Sequence, residues 1–322
     1  VKITNIEVSD EKWEWGTNPC SEIILRPNQF CNLSEAVIRP EDTLESLKDK
    51  VKIATIMGTL QATLTDFRYL RKIWQNNTEE EALLGVSLTG IMDHPIMSGG
   101  KDKEKLEQWL KEMREVAVET NKEWAEKLGI KQSAAITCVK PSGTVSQLVD
   151  CASGIHARYA KHYIRRVRAD KKDPLCQVLI DAGIPYEEAA GKPDVWIFSF
   201  YKEAPDGIYA NEQTAVEQAE LWSIYQKHWC EHKPSITIYY RDSDFLELGQ
   251  WVYNNFDEVS GCAFLPYDGG IYPQAPYEPV TEEEYKHGYE LEPKTLEFDI
   301  IENVDVTESS QTLACVGGSC EI

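Results

Sequence analysis

The chain has 322 residues, with 54 acidic side chains against 33 Lys and Arg and a formal net charge of −21. Phosphate backbones need basic surfaces, so this charge excludes nucleic acid as the main partner, although a single nucleotide needs only a local nest of N–H groups or a few cations. With 42% hydrophobic and 27% charged residues the composition is globular, sufficient for one large or two ordinary domains, and no apolar run reaches the ~18 residues of a membrane span.

Nine cysteines without regular spacing, and no recognisable signal peptide, point to a reducing cytoplasm. The chain opens on Val1 and meets its first dense motif only after Trp13 and Trp15, as expected of the middle of a larger protein. That motif is Asn18-Pro19-Cys20-Ser21-Glu22. Pro19 pushes Asn18 toward extended backbone, and in an extended segment Asn18, Cys20 and Glu22 project on one face. A thiol between an amide and a carboxylate suits hydrogen-atom or proton chemistry on a polar substrate. Taken alone, the five residues fit a small buried thiol beside a solvated charge better than a reactive site. Cys31 follows eleven residues later, at neither a zinc nor a thioredoxin spacing, and a returning hairpin would bring it near Cys20.

Apolar residues at three- and four-residue intervals from Leu44 to Phe67 predict one long helix over 43–74, with Pro40-Glu41-Asp42 as its start signal. Leu83–Leu88 has strand length. Leu106, Leu110, Met113, Ala117, Trp124 and Leu128 share a face of a second helix, and 133–139 reads as a buried strand. It runs into Pro141-Ser142-Gly143-Thr144-Val145-Ser146, whose hydroxyls and glycine offer a phosphate cradle but lack the P-loop pattern; a plain strand-to-helix turn fits as well. Arg165, Arg166 and Arg168 add cations downstream. Strands at 195–200, 235–239 and 261–266, with a helix over 212–232, complete an α/β pattern with parallel pairing. His228 and His232 stand at i and i+4 but have no third and fourth ligand in sequence, so no metal site is expected.

After Pro266 the character changes. Pro273, Pro276 and Pro279 break the chain, and residues 281–308 carry 10 acids against 2 lysines, an acidic appendage with sparse structure expected. The last fourteen residues read as a flexible tail that ends in Cys315-Val-Gly-Gly-Ser-Cys320. Two thiols on a Gly-Gly tip fill no core, which favours a redox role.

These residues together resemble the carboxy-terminal part of an adenosylcobalamin-dependent (class II) ribonucleotide reductase, nearest to the monomeric ribonucleoside-triphosphate reductases. The resemblance runs over nearly the whole chain. It rests on Asn18–Glu22, Cys31-Asn-Leu33, Lys140–Ser146, Gly154-Ile-His156 through Tyr163-Ile-Arg-Arg166, Phe264–Gly270, Gln274-Ala-Pro-Tyr277 and the Cys315/Cys320 tail.

The resemblance implies that Cys20 becomes a transient thiyl that takes the ribose 3′-hydrogen once the cobalt–carbon bond of adenosylcobalamin breaks. It implies that Glu22 deprotonates the 3′-hydroxyl while Asn18 holds substrate and Glu22 in register. Cys31 matches one of the two thiols that reduce the substrate. Cys315 and Cys320 match the shuttle that thioredoxin recharges, and Pro141, Ser142, Gly143, Thr144 and Ser146 match the substrate phosphate loop. The implied fold is the second part of a ten-stranded α/β barrel over 1–272, an acidic appendage over 273–308 and a mobile redox tail over 309–322. The second reducing cysteine and the allosteric region fall in the family's amino-terminal portion, so a full-length or split partner half is expected. Ala157 departs from the family's usual proline.

Two alternatives stay in view. A class I ribonucleoside-diphosphate reductase large-subunit fragment would typically read Asn-Leu-Cys and Pro-Thr-Ala-Thr. A non-catalytic nucleotide-binding or dithiol-relay relic would have no reason to retain Cys20, Glu22, Cys31 and both tail cysteines.

Overall fold

The computed structural model describes residues 14–100, 102–267, 273–293 and 295–296. The first elements are β1 (Gly16–Thr17), β2 (Ile24–Leu25), β3 (Asn32–Val37), α1 (Leu44–Gln61), α2 (Lys72–Glu81) and β4 (Leu84–Thr89). Next come α3 (Lys103–Leu128), α4 (Thr144–Leu148), β5 (His162–Asp170), α5 (Pro174–Asp181), β6 (Tyr186–Ala189) and β7 (Lys192–Glu203). The last are α6 (Ala215–His228), β8 (Ile236–Tyr240), α7 (Phe245–Asn254), β9 (Cys262–Pro266), β10 (Tyr277–Pro279) and α8 (Glu282–Leu291).

The chain divides into two compact units. One comprises Val1–Arg158 with Gly207–Pro266, the other Tyr159–Asp206 with Tyr267–Ile322. In the first, β3 pairs parallel with β4, and β8 with β9. Between these pairs the segment 135–139 runs parallel to both neighbours, through bridges of Val86 with Thr137 and of Val139 with Pro234. Five parallel segments therefore succeed one another in chain order. No closed barrel is present among the described residues; the strand sets are open.

Helices α1, α3 and α6 contribute to the core of this unit. Buried Leu47, Val51 and Ala54 of α1 meet Leu106, Leu110, Met113 and Ala117 of α3 and Leu84, Val86 and Leu88 of β4 in one cluster. Each such fully buried side chain contributes roughly 1.5–3 kcal/mol relative to exposure. Trp222 and Trp229 are both fully buried, and their indole N–H groups donate to the Pro234 and Cys138 carbonyls, each at 2.7 Å. These bonds hook α6 onto the strands that carry the functional residues, and they satisfy polar groups that burial would otherwise penalise.

The predicted long helix over 43–74 is two helices. A capping box on Thr43 and Ser46 starts α1 at Leu44, and it stops at Gln61, after which the Thr63 hydroxyl donates to the Leu60 carbonyl at 2.7 Å. Such side-chain bonds compete with the helix ladder. Its buried face also differs from the predicted stripe, since Met57 and Leu60 are exposed whereas Gly58 and Thr59 are buried.

The second unit departs from parallel pairing altogether. Its sheet has the order β10-β5-β7-β6, with each neighbouring pair antiparallel, and α5 covers it through Cys176 and Leu179 against Phe198. Within the acidic stretch expected to be sparsely structured, α8 forms behind a capping box on Thr281 and Glu284, which places Glu282, Glu283 and Glu284 at the favourable helix N-terminus.

Candidate active site

Asn18–Glu22 caps the two-stranded β1–β2 ladder, in which Gly16 pairs with Leu25 and Thr17 with Ile24. The segment is not extended. Ser21 N–H donates to the Asn18 carbonyl at 2.9 Å, which makes a tight turn with Pro19 at its second position, where the fixed proline φ is favoured. The Asn18 amide then braces the loop from inside: Oδ1 accepts the Ile23 N–H at 3.0 Å, and Nδ2 donates to Glu22 Oε1 at 2.5 Å. Fully buried Ile23 anchors the loop, and the Glu22 carbonyl accepts the Lys233 N–H just ahead of β8. Behind it, buried Arg26 is ion-paired with Glu80 and Glu81 at 3.0 Å, which ties the hairpin to α2.

The turn brings Asn18, Cys20 and Glu22 together as the sequence suggests, by a different backbone path. It also brings a group the sequence reading missed. Lys140 Nζ donates to Cys20 Sγ and lies against Glu22 Oε1, both at 3.3 Å. Burial pulls the ammonium down, but the Glu22 carboxylate and the Cys20 sulfur outweigh it and raise Lys140 above its ordinary value, so it is a cation. Glu22 is entirely buried, and its other oxygen, Oε2, has no hydrogen-bond partner among the described residues. A buried acceptor in that condition invites a donor. Cys20 is only partly buried.

Cys31 precedes β3 and packs on Gly85 of β4. A Cβ at Gly85 would stand 3.4 Å from the sulfurs of both Cys31 and Cys138, so the glycine leaves the room that the two share. Burial, aided by the Glu22 carboxylate, pushes the Cys31 thiol well above its ordinary value and keeps it protonated. Cys138 is pushed up likewise, first by burial and then by Cys230, Cys31 and Glu22.

The Pro141–Ser146 turn leaves the same strand one residue after Lys140, whose N–H is fixed to the Ser87 hydroxyl at 2.8 Å. Its first donors face inward. The N–H groups of Ser142 and Gly143 both reach Ser153 Oγ at 3.0 and 3.2 Å, the Ser142 hydroxyl donates to Glu35 Oε1 at 2.7 Å, and Ser146 donates to the Gly143 carbonyl. Thr144 is exposed and begins the five-residue α4. The facing loop is locked by Arg158, which grips both Asp93 oxygens at 2.9 and 3.0 Å while Asp93 accepts the Ala152 N–H.

Other motifs serve structure. His156 Nε2 accepts the Thr237 N–H at 2.9 Å, so its Nδ1 carries the proton and donates to the Ser153 carbonyl; burial lowers it and keeps it neutral. Ala157 packs on the core, and nothing in the structure explains its difference from proline. His228 pairs with Glu107, whereas His232 is buried against the Leu84 carbonyl, so the two do not converge. No cluster of metal-ligating side chains occurs among the described residues. Arg165 and Arg166 belong to the second unit, where Arg165 stacks on Tyr277 and Arg166 pairs with Glu278. Cys315 and Cys320 lie outside the described residues, as do Asp268, Gly269 and Gly270. No described helix is long and apolar enough to cross a membrane.

No protein-family model matches the chain. It is similar to the adenosylcobalamin-dependent ribonucleoside-triphosphate reductase of Euglena gracilis, with 31% identity over 84% of this chain and 37% of that protein. The protein of the same description from Lactobacillus acidophilus is 27% identical over 95% of this chain and 45% of its own length. A probable one from Dictyostelium discoideum is 27% identical over 99% of this chain and 42% of its own length. The chain thus spans less than half the length of the curated relatives it matches. A solved structure, the crystal structure of a B-12-dependent (class II) ribonucleotide reductase, superposes with a TM-score of 0.76 at 22% identity, over 95% of this chain and 45% of that one.

Proposed function

We propose that this chain, which belongs to the adenosylcobalamin-dependent (class II) ribonucleotide reductase family, is the part of such an enzyme that holds the reacting thiols and the base. The reaction is the reduction of a ribonucleoside triphosphate to its 2′-deoxy counterpart, for DNA synthesis in the cytoplasm. The observation that carries this reading is the fully buried Glu22, with one oxygen braced by Asn18 and by a Lys140 that also reaches the Cys20 sulfur, and the other without a hydrogen-bond partner among the described residues.

In the proposed sequence, Cys20 in its thiyl form removes the 3′-hydrogen of the ribose, and Glu22 Oε2 accepts the 3′-hydroxyl proton. Asn18 holds Oε1 so that Oε2 faces the substrate. The 2′-hydroxyl leaves as water, and Cys31 with a second thiol supplies two electrons and two protons as the pair closes to a disulfide. The Cys20 hydrogen then returns to C3′, and Glu22 returns its proton to the 3′-oxygen. Cys315 and Cys320 reopen that disulfide by thiolate exchange and are themselves reduced by thioredoxin. The Pro141–Ser146 turn takes the substrate phosphates. Adenosylcobalamin, the cofactor in the relatives' names, supplies the radical when bound. A partly buried cysteine at a hairpin tip fits that need, since the group that generates the radical has to approach Cys20 from outside the hairpin.

The five parallel segments would form one half of a ten-stranded barrel, and an amino-terminal portion would supply the other half and cover the open strand edges. Retention of both the buried base and the adjacent thiol in contact with one lysine speaks for a working site rather than a binding relic. The test is formation of deoxynucleotide by the complete reductase, given a ribonucleoside triphosphate, adenosylcobalamin and thioredoxin. Wild type should turn over and Cys20→Ser should not; undiminished product from the serine variant would overturn the reading.

A further inference from the structure

Lys140 is the cation at the centre of the site. Its ammonium reaches the Cys20 sulfur and the inner oxygen of Glu22 at the same distance, 3.3 Å, and its charge also acts on Glu35. Glu35 is already engaged by the Ser142 hydroxyl at 2.7 Å. Among the described residues no other cation pairs with Glu22: Asn18 offers a neutral amide, and the carboxylate is completely withdrawn from solvent. A carboxylate so placed needs a counter-charge to remain ionised, since an uncompensated buried charge is strongly penalised. A base must be ionised before it can accept a proton.

We infer that Lys140 is a positioning residue of the reductase site, which holds Glu22 as an oriented anion and fixes the Cys20 thiol beside it. The inference rests on the functional reading above. Lys140 acts through Glu22 and Cys20. Because its ammonium spans both, one side chain sets the spacing between the hydrogen-atom acceptor and the proton acceptor. Its backbone is pinned to Ser87, and the next residue opens the Pro141 turn, so the same strand end carries both the cation and the turn assigned to substrate phosphate.

A residue that only attracted phosphate would change KM, whereas one that readies the base changes kcat. The test is therefore a cycle in the complete reductase with Lys140→Met, Lys140→Arg, Glu22→Gln and the Glu22→Gln/Lys140→Met double variant. Lys140→Met should lower kcat about 10- to 100-fold, below the full effect of losing a general base, with nucleotide KM within about threefold. Lys140→Arg should recover most of that loss. The double variant should turn over no more slowly than Glu22→Gln alone, because a lysine that works through Glu22 has nothing left to act on. A wild-type kcat in Lys140→Met, a change confined to KM, or a multiplicative loss in the double variant would each overturn the inference.

Thermal unfolding of the same proteins gives a readout independent of turnover. Lys140→Met should lower Tm and added Glu22→Gln should restore it, since the gap left by the lysine is a lone buried charge. If the wild-type reductase made no deoxynucleotide, the functional reading would fall. The Lys140–Glu22 coupling would still be read from Tm, and its absence there would sink the ion pair itself.

Discussion

Ser142 donates its hydroxyl to Glu35 at 2.7 Å, so the turn assigned to substrate phosphate holds a carboxylate of its own. Two further donors of that turn, the N–H groups of Ser142 and Gly143, converge on Ser153 Oγ. A phosphate arriving at Ser142 would therefore replace one anion with another, and the protonation of Glu35 bears on how readily that happens.

Burial raises the Glu35 carboxyl above its ordinary value, against the opposing pull of the Ser142 hydrogen bond and the Lys140 charge. The folded chain thus binds this proton more tightly than the unfolded chain. The contribution is most favourable in acid and declines as pH rises from the ordinary carboxylate value through the raised one. Glu35→Gln removes the titration while keeping an oxygen for Ser142. Its stability relative to wild type should rise between about pH 4 and pH 7, followed by urea unfolding at several pH values. A relative stability that falls over that range would mean the charged form is the one the fold favours.

Glu22→Gln keeps the shape of the buried side chain but removes the proposed base. kcat for nucleotide reduction should fall by roughly two to four orders of magnitude, the usual scale for a positioned general base. Steady-state rates with a ribonucleoside triphosphate check this, and a near-normal rate would give the proton transfer to another group.

Gly154 lies at φ +56°, and a Cβ there would come within 2.6 Å of the Lys140 carbonyl oxygen. Gly154→Ala should destabilise the chain by about 1–3 kcal/mol from backbone strain, with further loss as the Lys140–Pro141 segment is displaced. Chemical denaturation measures the first effect, and an unchanged midpoint would show that the loop yields freely.

Much of the central strand pattern is legible in the sequence, because parallel strands read as short apolar runs between amphipathic helices. Leu83–Leu88 and 261–266 fall within a residue of β4 and β9. The helix predicted over 43–74 fails at its middle, where periodicity continues through Leu64 and Phe67 although the Thr63 hydroxyl captures the Leu60 carbonyl. The antiparallel sheet of the second unit is not legible, since strands and helices that alternate along a chain do not reveal which strands pair. The convergence of Asn18, Cys20 and Glu22 can be anticipated from their local spacing, even though a turn and not an extended strand produces it. Lys140 cannot be anticipated that way. It is separated from Cys20 by 120 positions, and only the fold brings the two together.

The remaining prediction separates the thiols proposed to meet substrate from those proposed to recharge them. If Cys315 and Cys320 only ferry electrons, replacing both by serine leaves a pre-reduced enzyme able to complete about one turnover before it stalls with thioredoxin as reductant. A small dithiol that diffuses into the site should restore part of the multiple-turnover rate, because it performs the same thiolate exchange. Cys31→Ser should behave differently. Cys31 is a protonated thiol packed on Gly85, within the electrostatic reach of the Glu22 carboxylate, and no diffusing dithiol occupies its place. Its loss should prevent even the first deoxynucleotide from forming, with or without added dithiol. Rapid-quench measurements on the two variants decide between these outcomes. Loss of the first turnover in the tail variant, or rescue of Cys31→Ser by dithiol, would show that the division of labour between the two sets of cysteines is wrong.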